Sequence, residues 1–393
     1  MKAICWQGIH KVGVETVPDP HLINPHDIIL KVLATTICGS DLHLYDGYIP
    51  FMETGDIIGH EFMGEVAEAG PAVKKLAAGD RVVVASVIGC GECYYCRRDL
   101  WSLCDNSNPN AHLAEKLWGY SPCGIFGYSH LVGGYAGSHA EYVRVPFADQ
   151  GARKLPDGIT NEQALFISDA FPTGFMAADL CGLQGGEVVA VWGAGAVGLF
   201  AIKSAYLLGA ERVIAIDRYP ERLAMAANRF GAQTLDYTKV DVQTALRELT
   251  GGRGPDACID AVGMEAHHPG IEGAYDRIKQ TFRLETERPH VLREAILSCR
   301  KGGTLSIIGV YGGLADKIPL GALMNKGLQL RSGQMHAQRY LDRLIDYVAS
   351  GEVDPSVMVT HRMALDEAGH AYKMFKHKEG GCLRVVFEPF GRR

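Results

Sequence analysis

The stretch EVVAVWGAGAVGLFAIKSAYLLGA, from Glu187 to Ala210, constrains the fold of this chain more than any other. Its apolar opening, bounded by glycine, reads as a strand buried on both faces, and the run after Gly198 has the length and composition of a helix. Between them stand Gly193, Ala194, Gly195, Ala196, Val197 and Gly198, a GxGxxG string. Alone such a string says little, because Gly and Ala are common. Between a strand and a helix it has the context its mechanism requires. The first glycine permits a tight turn, the second lets the backbone approach a pyrophosphate, and the third lets the helix pack on the strand. The helix N-terminus then offers unpaired N–H groups to phosphates. A glycine-rich turn in an ordinary βαβ unit is the plainer alternative.

Asp217 ends the next strand, RVIAID, close to 20 residues onward. A carboxylate there can bond both ribose hydroxyls and repels the 2′-phosphate of NADP, so the reading favours NAD. Arg218 follows at once and softens that discrimination. With Val197, Arg222 in the following helix and Val262 in DAVG complete the candidate dinucleotide contacts. Further strands, ACIDAVG and GTLSIIGVYGG, alternate with helical stretches such as PERLAMAANRFG. That rhythm predicts an α/β fold with a doubly wound parallel sheet. The first third reads differently: KAICWQG, DIILKVLATTIC, FMGEVAEAG and DRVVVASV are β-branched runs punctuated by turn residues. A helix, RYLDRLIDYVAS, and a last strand, CLRVVFEPF, close the chain. The expected organisation is a β-rich domain over residues 1–170, completed by 336–393, and a nucleotide-binding domain over 171–335.

The 11 cysteines in 393 residues are an odd number at low density, unlike a disulfide scaffold. The N-terminus has no apolar stretch and cleavage site of a signal peptide. The longest uncharged apolar run, Val188 to Ile202, is shorter than the roughly 20 residues of a membrane span. The chain therefore reads as cytoplasmic, with thiols that bind metal more readily than one another. A net charge of −6 gives no overall attraction to nucleic acid or anionic membranes. Four of the thiols, Cys90, Cys93, Cys96 and Cys104, are separated by two, two and seven residues. Zinc takes four thiolates tetrahedrally, and CxxC pairs chelate well. The bacterial iron–sulfur run closes with three residues and a proline, which this one does not. A structural zinc in a lobe over 89–105 is the expectation.

A second constellation lies upstream. CGSDLH supplies Cys38, Ser40 and His43, and GHE supplies His60 and Glu61. A catalytic zinc wants three protein ligands and an open position. With CGSDLH, GHEFMGEV, GDRVVV, the four-cysteine lobe, GAGAVG and DAVG in this order, the chain resembles the zinc-dependent alcohol dehydrogenases of the medium-chain dehydrogenase/reductase superfamily over nearly its whole length. The resemblance implies a GroES-like catalytic domain beside a Rossmann NAD domain, two zinc ions per chain, NAD, and a small alcohol or aldehyde substrate. It implies a homodimer or homotetramer, with no nucleic-acid or membrane partner.

By the same resemblance, Cys38 and His60 are catalytic zinc ligands and the four lobe cysteines hold the structural zinc. The third catalytic ligand of the family lies four residues before a Thr-Gly pair, which here is Asp169 in SDAFPTG. Many members carry cysteine there. Aspartate brings the same formal charge but a harder oxygen, and leaves the metal a stronger Lewis acid. A helix cap is the competing role for Asp169. Cys181, the nearby thiol, should lie well along the helix and face away. Glu61 is expected beside the ligands, coordinating transiently. In the implied chemistry zinc lowers the pKa of the substrate hydroxyl. Ser40 takes the proton and passes it through the nicotinamide ribose to a solvent-facing His43, and hydride moves to NAD. SDAFPTG and 38 residues between Gly263 and Gly302 bring the chain nearest to formaldehyde dehydrogenase-like members that need no glutathione. An insertion at 264–290 covering the dinucleotide would retain it between turnovers, and so give aldehyde dismutation.

Overall fold

The computed structural model describes residues 1–265, 289–311 and 315–391. Most of the insertion expected at 264–290 therefore lies outside the described residues. The chain divides into two compact units, Met1–Pro172 with Met335–Arg393, and Thr173–Gln334.

The first unit is built on the strand Ile28–Thr36, whose alternation puts Ile28, Leu30 and Val32 on one face. It pairs antiparallel with Glu61–Ala69, Tyr142–Val145 and Val385–Phe387. The sheet runs His361–Met363, Val385–Phe387, Ile28–Thr36, Glu61–Ala69, Arg81–Val84, Ala152–Lys154, with Tyr142–Val145 also on Ile28–Thr36. Ile28, Leu30 and Val32 meet Phe62, Val66, Val82, Val84, Phe126, Val143 and Val145 in one core. Phe62 and Phe126 cross edge to face at 5.2 Å, the arrangement their ring quadrupoles favour. A second core joins the N-terminal hairpin (Lys2–Gly8 with Lys11–Thr16), the helix Gly39–Tyr45 and the C-terminal helix Ala368–His377. The tail is thus part of this unit. Its strand Val385–Phe387 pairs with Thr35 and Thr36, which face Phe62 and Glu61 across the other edge of the same strand. Residues far apart in sequence meet at that end of the sheet.

Among the described residues the second unit carries six parallel strands in the order Gln233–Asp236, Arg212–Asp217, Val188–Trp192, Ala257–Asp260, Thr304–Ile307, Gln329–Ser332. Numbered along the chain this is 3-2-1-4-5-6, the Rossmann order, which reverses direction at Val188–Trp192. The inner strands are buried almost throughout; the two edge strands are short and polar. The expected α/β class, a Rossmann sheet with a GroES-like β-rich partner, holds. No helix among the described residues is long and apolar enough to cross a membrane.

Candidate active site and metal centres

Cys38 is the residue before the helix Gly39–Tyr45, and Asp41 closes that turn by accepting the Cys38 backbone N–H at 2.8 Å. This bond fixes the direction of the Cys38 side chain. Glu61 opens the neighbouring strand, so His60 and Glu61 sit beside it at the sheet end. Asp169 stands between the short 3-10 turn Phe166–Ser168 and the helix Ala170–Asp179. Cys38, His60, Glu61 and Asp169 each offer one ligand atom, and these atoms lie within 4.8 Å of one another.

The imidazole of His60 is oriented by its surroundings. Nδ1 lies 3.1 Å from Asp41 Oδ1, while Nε2 lies 3.8 Å from Asp169 Oδ2 and 3.2 Å from Ser40 Oγ. A carboxylate at Nδ1 keeps the proton there and leaves Nε2 as the ligand nitrogen. Burial disfavours charge on His60, but the Asp41 carboxylate and the Cys38 sulfur hold its pKa well above the ordinary imidazole value. Burial works against ionised Asp41, and His60 and His139 more than offset it, so its pKa falls. Burial pushes Cys38 up, with Glu61 adding to the effect. Glu61 is pushed up to about 7, chiefly by burial, against the opposing pull of Arg384. Arg384 Nη1 donates to Glu61 Oε1 at 2.8 Å and to the Ile37 carbonyl at 2.7 Å, while Glu61 Oε2 has no partner among the described residues. Buried acids raised in this way are relieved by a divalent cation. A thiol, an imidazole and carboxylate oxygens form a donor set suited to zinc.

Two expectations change here. His43 was expected to face solvent, but it is only 4 % exposed. Its helix buries the five residues Asp41 to Tyr45, of which Leu42, Leu44 and Tyr45 join the core shared with the C-terminal helix, so a relay ending on an exposed His43 imidazole does not fit. Cys181 lies beyond the end of the helix Ala170–Asp179, with its Sγ donating to the Ala177 carbonyl at 3.4 Å. Two residues that matter were missed. Asp41 stood inside the quoted CGSDLH, and its place three residues after Cys38 is the signal of a capping carboxylate. Arg384 gave no signal, as an arginine before a valine pair more than 320 residues from Glu61.

In the lobe, Cys90 and Cys96 have their sulfurs 4.0 Å apart, and Cys93 and Cys104 3.9 Å. A tetrahedron with zinc–sulfur bonds of about 2.3 Å has edges of about 3.8 Å. All four sulfurs lie within 4.8 Å of one another. Backbone N–H groups of Cys90, Glu92, Cys93 and Cys96, with the Asn106 amide, donate to these sulfurs at 3.3 to 3.4 Å. The hydrogen bond between Cys96 and Cys104 holds the Cys104 thiol down and pushes Cys96 up, while burial pushes Cys90 up. The donor set fits zinc.

In the second unit, Gly193 follows Val188–Trp192 with φ 91°, and a Cβ on Gly198 would lie 1.8 Å from the Gly193 carbonyl oxygen. Only glycine allows that approach. Val197 follows the first residue of the helix Ala196–Leu207, and Gly195 precedes it. Asp217 is not a free carboxylate. It accepts from the amides of Ala194 at 2.7 Å, Arg218 at 2.6 Å and Tyr219 at 3.2 Å, which leaves about one of its four lone-pair positions open. Arg222 Nη1 lies 3.8 Å from it. Arg218 turns aside to donate to the Tyr219 hydroxyl at 2.9 Å. The Val262 amide donates to Asp260 Oδ1 at 2.9 Å.

The profile of the alcohol dehydrogenase GroES-like domain matches residues 24–157, and that of the zinc-binding dehydrogenases matches residues 196–272. An uncharacterized zinc-type alcohol dehydrogenase-like protein, AdhB of Bacillus subtilis, is 41 % identical over 99 % of this chain and 100 % of its own. The glutathione-independent formaldehyde dehydrogenase of the same organism is 34 % identical, covering 99 % and 98 %. The formaldehyde dismutase of Pseudomonas putida is 32 % identical, with the same coverage. Among solved structures, the alcohol dehydrogenase TADH from Thermus sp. ATN1 superposes with a TM-score of 0.83 at 35 % identity, covering 99 % of this chain and 100 % of the other. The chain belongs to the zinc-binding alcohol dehydrogenase family.

Proposed function

We propose that the protein is a zinc-dependent, NAD-linked oxidoreductase of small alcohols and aldehyde hydrates, formaldehyde hydrate among them. The observation that carries the reading is the meeting of Cys38, His60, Glu61 and Asp169 within 4.8 Å. Cys38, His60 and Asp169 would hold the catalytic zinc, and Cys90, Cys93, Cys96 and Cys104 the structural one. Zinc, when bound, supplies a Lewis acid that makes a hydroxyl group more acidic. Dinucleotide, held along Gly193, Gly195, Val197, Gly198, Asp217, Arg222 and Val262, supplies the hydride acceptor.

The chain's own residues do the rest. Asp41 keeps the His60 proton on Nδ1. Arg384 neutralises one Glu61 oxygen and leaves the other aimed into the cluster, ready to exchange with an arriving oxygen ligand. Ser40 Oγ, beside His60 Nε2, relays the substrate's proton, accepting it as its own hydroxyl proton passes to water. The exposed oxygen edges of the ribose meet an Asp217 already oriented by three amides, which disfavours a 2′-phosphate.

The formaldehyde part of the reading rests on Asp169 in SDAFPTG and on the two formaldehyde-named relatives. The likeness to a plain alcohol dehydrogenase supports a wider range of primary, secondary or polyol substrates as the second reading. Retained dinucleotide would add dismutation of the aldehyde. We also propose a homo-oligomer. The edge strand Gln329–Ser332 exposes all four residues, and the helix Leu320–Asn325 buries none, leaving Leu320 65 % and Met324 74 % exposed. An open edge flanked by apolar side chains invites a second copy. The test is a rate panel with NAD and NADP against formaldehyde, short primary and secondary alcohols and polyols, with zinc content measured alongside. Turnover of none of them by zinc-loaded protein would refute the reading.

A further inference from the structure

Tyr128 lies outside every motif of the sequence, yet its ring stands edge-on to His60, with centroids 6.3 Å apart and planes at 80°. The placement is built by close backbone packing. Gly127 has φ 54°, and a Cβ there would lie 2.3 Å from the carbonyl oxygen of Gly59, the residue before His60. The Gly127 amide donates to the Tyr135 carbonyl at 2.9 Å, and the following strap binds the same segment through Gly137 to Ile57, Ser138 to Gly59 and His139 to Ile58. His60 and Tyr128 are thereby held at one distance. The ring, partly buried, packs against the core that includes Ile37, Leu42 and Tyr372.

The hydroxyl is the unexplained part. It has no hydrogen-bond partner among the described residues, and it is not sealed away as the unpartnered hydroxyl of Tyr372 is. The residue itself keeps part of its surface exposed. A phenol is a neutral hydrogen-bond donor at ordinary pH. A buried tyrosine usually finds a partner for its hydroxyl. A hydroxyl left open on a ring that stands against His60 is available to a group that arrives with the substrate.

We infer that the Tyr128 hydroxyl is a hydrogen-bonding partner for a second oxygen of the substrate, the further hydroxyl of an aldehyde hydrate or of a short diol. This deepens the reading above and rests on the cluster being the alcohol-oxidising site. A site built to bond a second hydroxyl discriminates against the analogue lacking it. A simple alcohol leaves the phenol unpartnered, whereas a hydrate or diol satisfies it.

The test compares Tyr128→Phe, which removes one oxygen and keeps the ring, with the unaltered zinc-loaded protein. The quantity read is the ratio of kcat/KM for 1,2-ethanediol to that for ethanol, with NAD. The ratio should fall by about five- to tenfold in the variant, the range of one lost hydrogen bond. NMR-detected binding of the same two compounds gives a second ratio that does not depend on turnover, and it should fall likewise. Unchanged ratios would overturn the inference and leave Tyr128 a wall of the site. If the unaltered protein oxidises neither compound, the binding ratio alone decides the role of Tyr128.

Discussion

At the scale of single residues, the account turns on Asp169, one of the four residues whose ligand atoms meet within 4.8 Å. Asp169→Asn keeps the size and the capping ability of the side chain but removes its charge. Loss of outer-shell partners of a metal typically costs 10- to 100-fold in activity, so loss of a ligand should cost at least about 100-fold. The melting temperature should move by less than about 2 °C, and Asp169→Cys should keep its zinc. Near-normal kinetics of the Asn variant would return Asp169 to a capping role. Asp217 offers a second test. With Ser in its place, kcat/KM for NADP should rise about tenfold, a change of roughly 1.4 kcal/mol, because the carboxylate that repels a 2′-phosphate is gone. Equal use of both dinucleotides by the unaltered protein would contradict the assignment. Residues of this kind were legible where chemistry is packed into a short string, as in CGSDLH and GHE. Arg384 was not, because its partner Glu61 is reached only through the pairing of Val385–Phe387 with Ile28–Thr36. His43 was misjudged for a related reason. The helix Gly39–Tyr45 packs Leu42, Leu44 and Tyr45 on a core shared with the C-terminal helix, which no neighbour in sequence reveals.

At the scale of elements, the four-cysteine lobe and the inner strands of the parallel sheet were the most legible. A CxxC pair and a doubly buried strand each carry their signal locally. The edge strands Gln233–Asp236 and Gln329–Ser332 were not, since four polar or exposed residues show neither period. Cys93→Ser should release one zinc and lower the melting temperature by about 10 °C or more, at about 2–4 °C per kcal/mol for a unit of this size. Metal analysis with thermal melting checks it, and two retained zinc ions would count against the lobe. The lobe is also anchored through His336, whose Nδ1 lies 3.0 Å from Ser102 Oγ and 3.3 Å from the Ser102 amide. Burial, with Arg339 adding to it, holds His336 down to about 4 from the ordinary 6.5, against the weak opposing pull of Asp99. The unfolded chain therefore takes up a proton between pH 6.5 and 4 that the folded chain refuses. Stability should fall as pH drops through that window and level off below it. His139, buried and also lowered to about 4, acts in the same sense. In His336→Asn, which keeps an acceptor without a titration, the melting temperature should fall less steeply over this window. Equal slopes would show that His336 contributes nothing.

At the scale of the whole molecule, the α/β class and the Rossmann sheet were legible because strand, glycine turn and helix follow one another without interruption. The meeting of residues 36, 61 and 384 at one sheet end was not, because it depends on a strand that returns from the far end of the chain. The central claim joins these scales: one zinc, held by Cys38, His60 and Asp169, makes this chain an NAD-linked alcohol oxidoreductase. The most direct measurement is NADH formation from formaldehyde and short alcohols by protein of known zinc content, unaltered and with His60→Ala. The account predicts two zinc ions per chain and turnover in the unaltered protein. It predicts one zinc ion, a nearly unchanged melting temperature and no turnover in the variant. Turnover that persists in His60→Ala with one zinc ion remaining would contradict it.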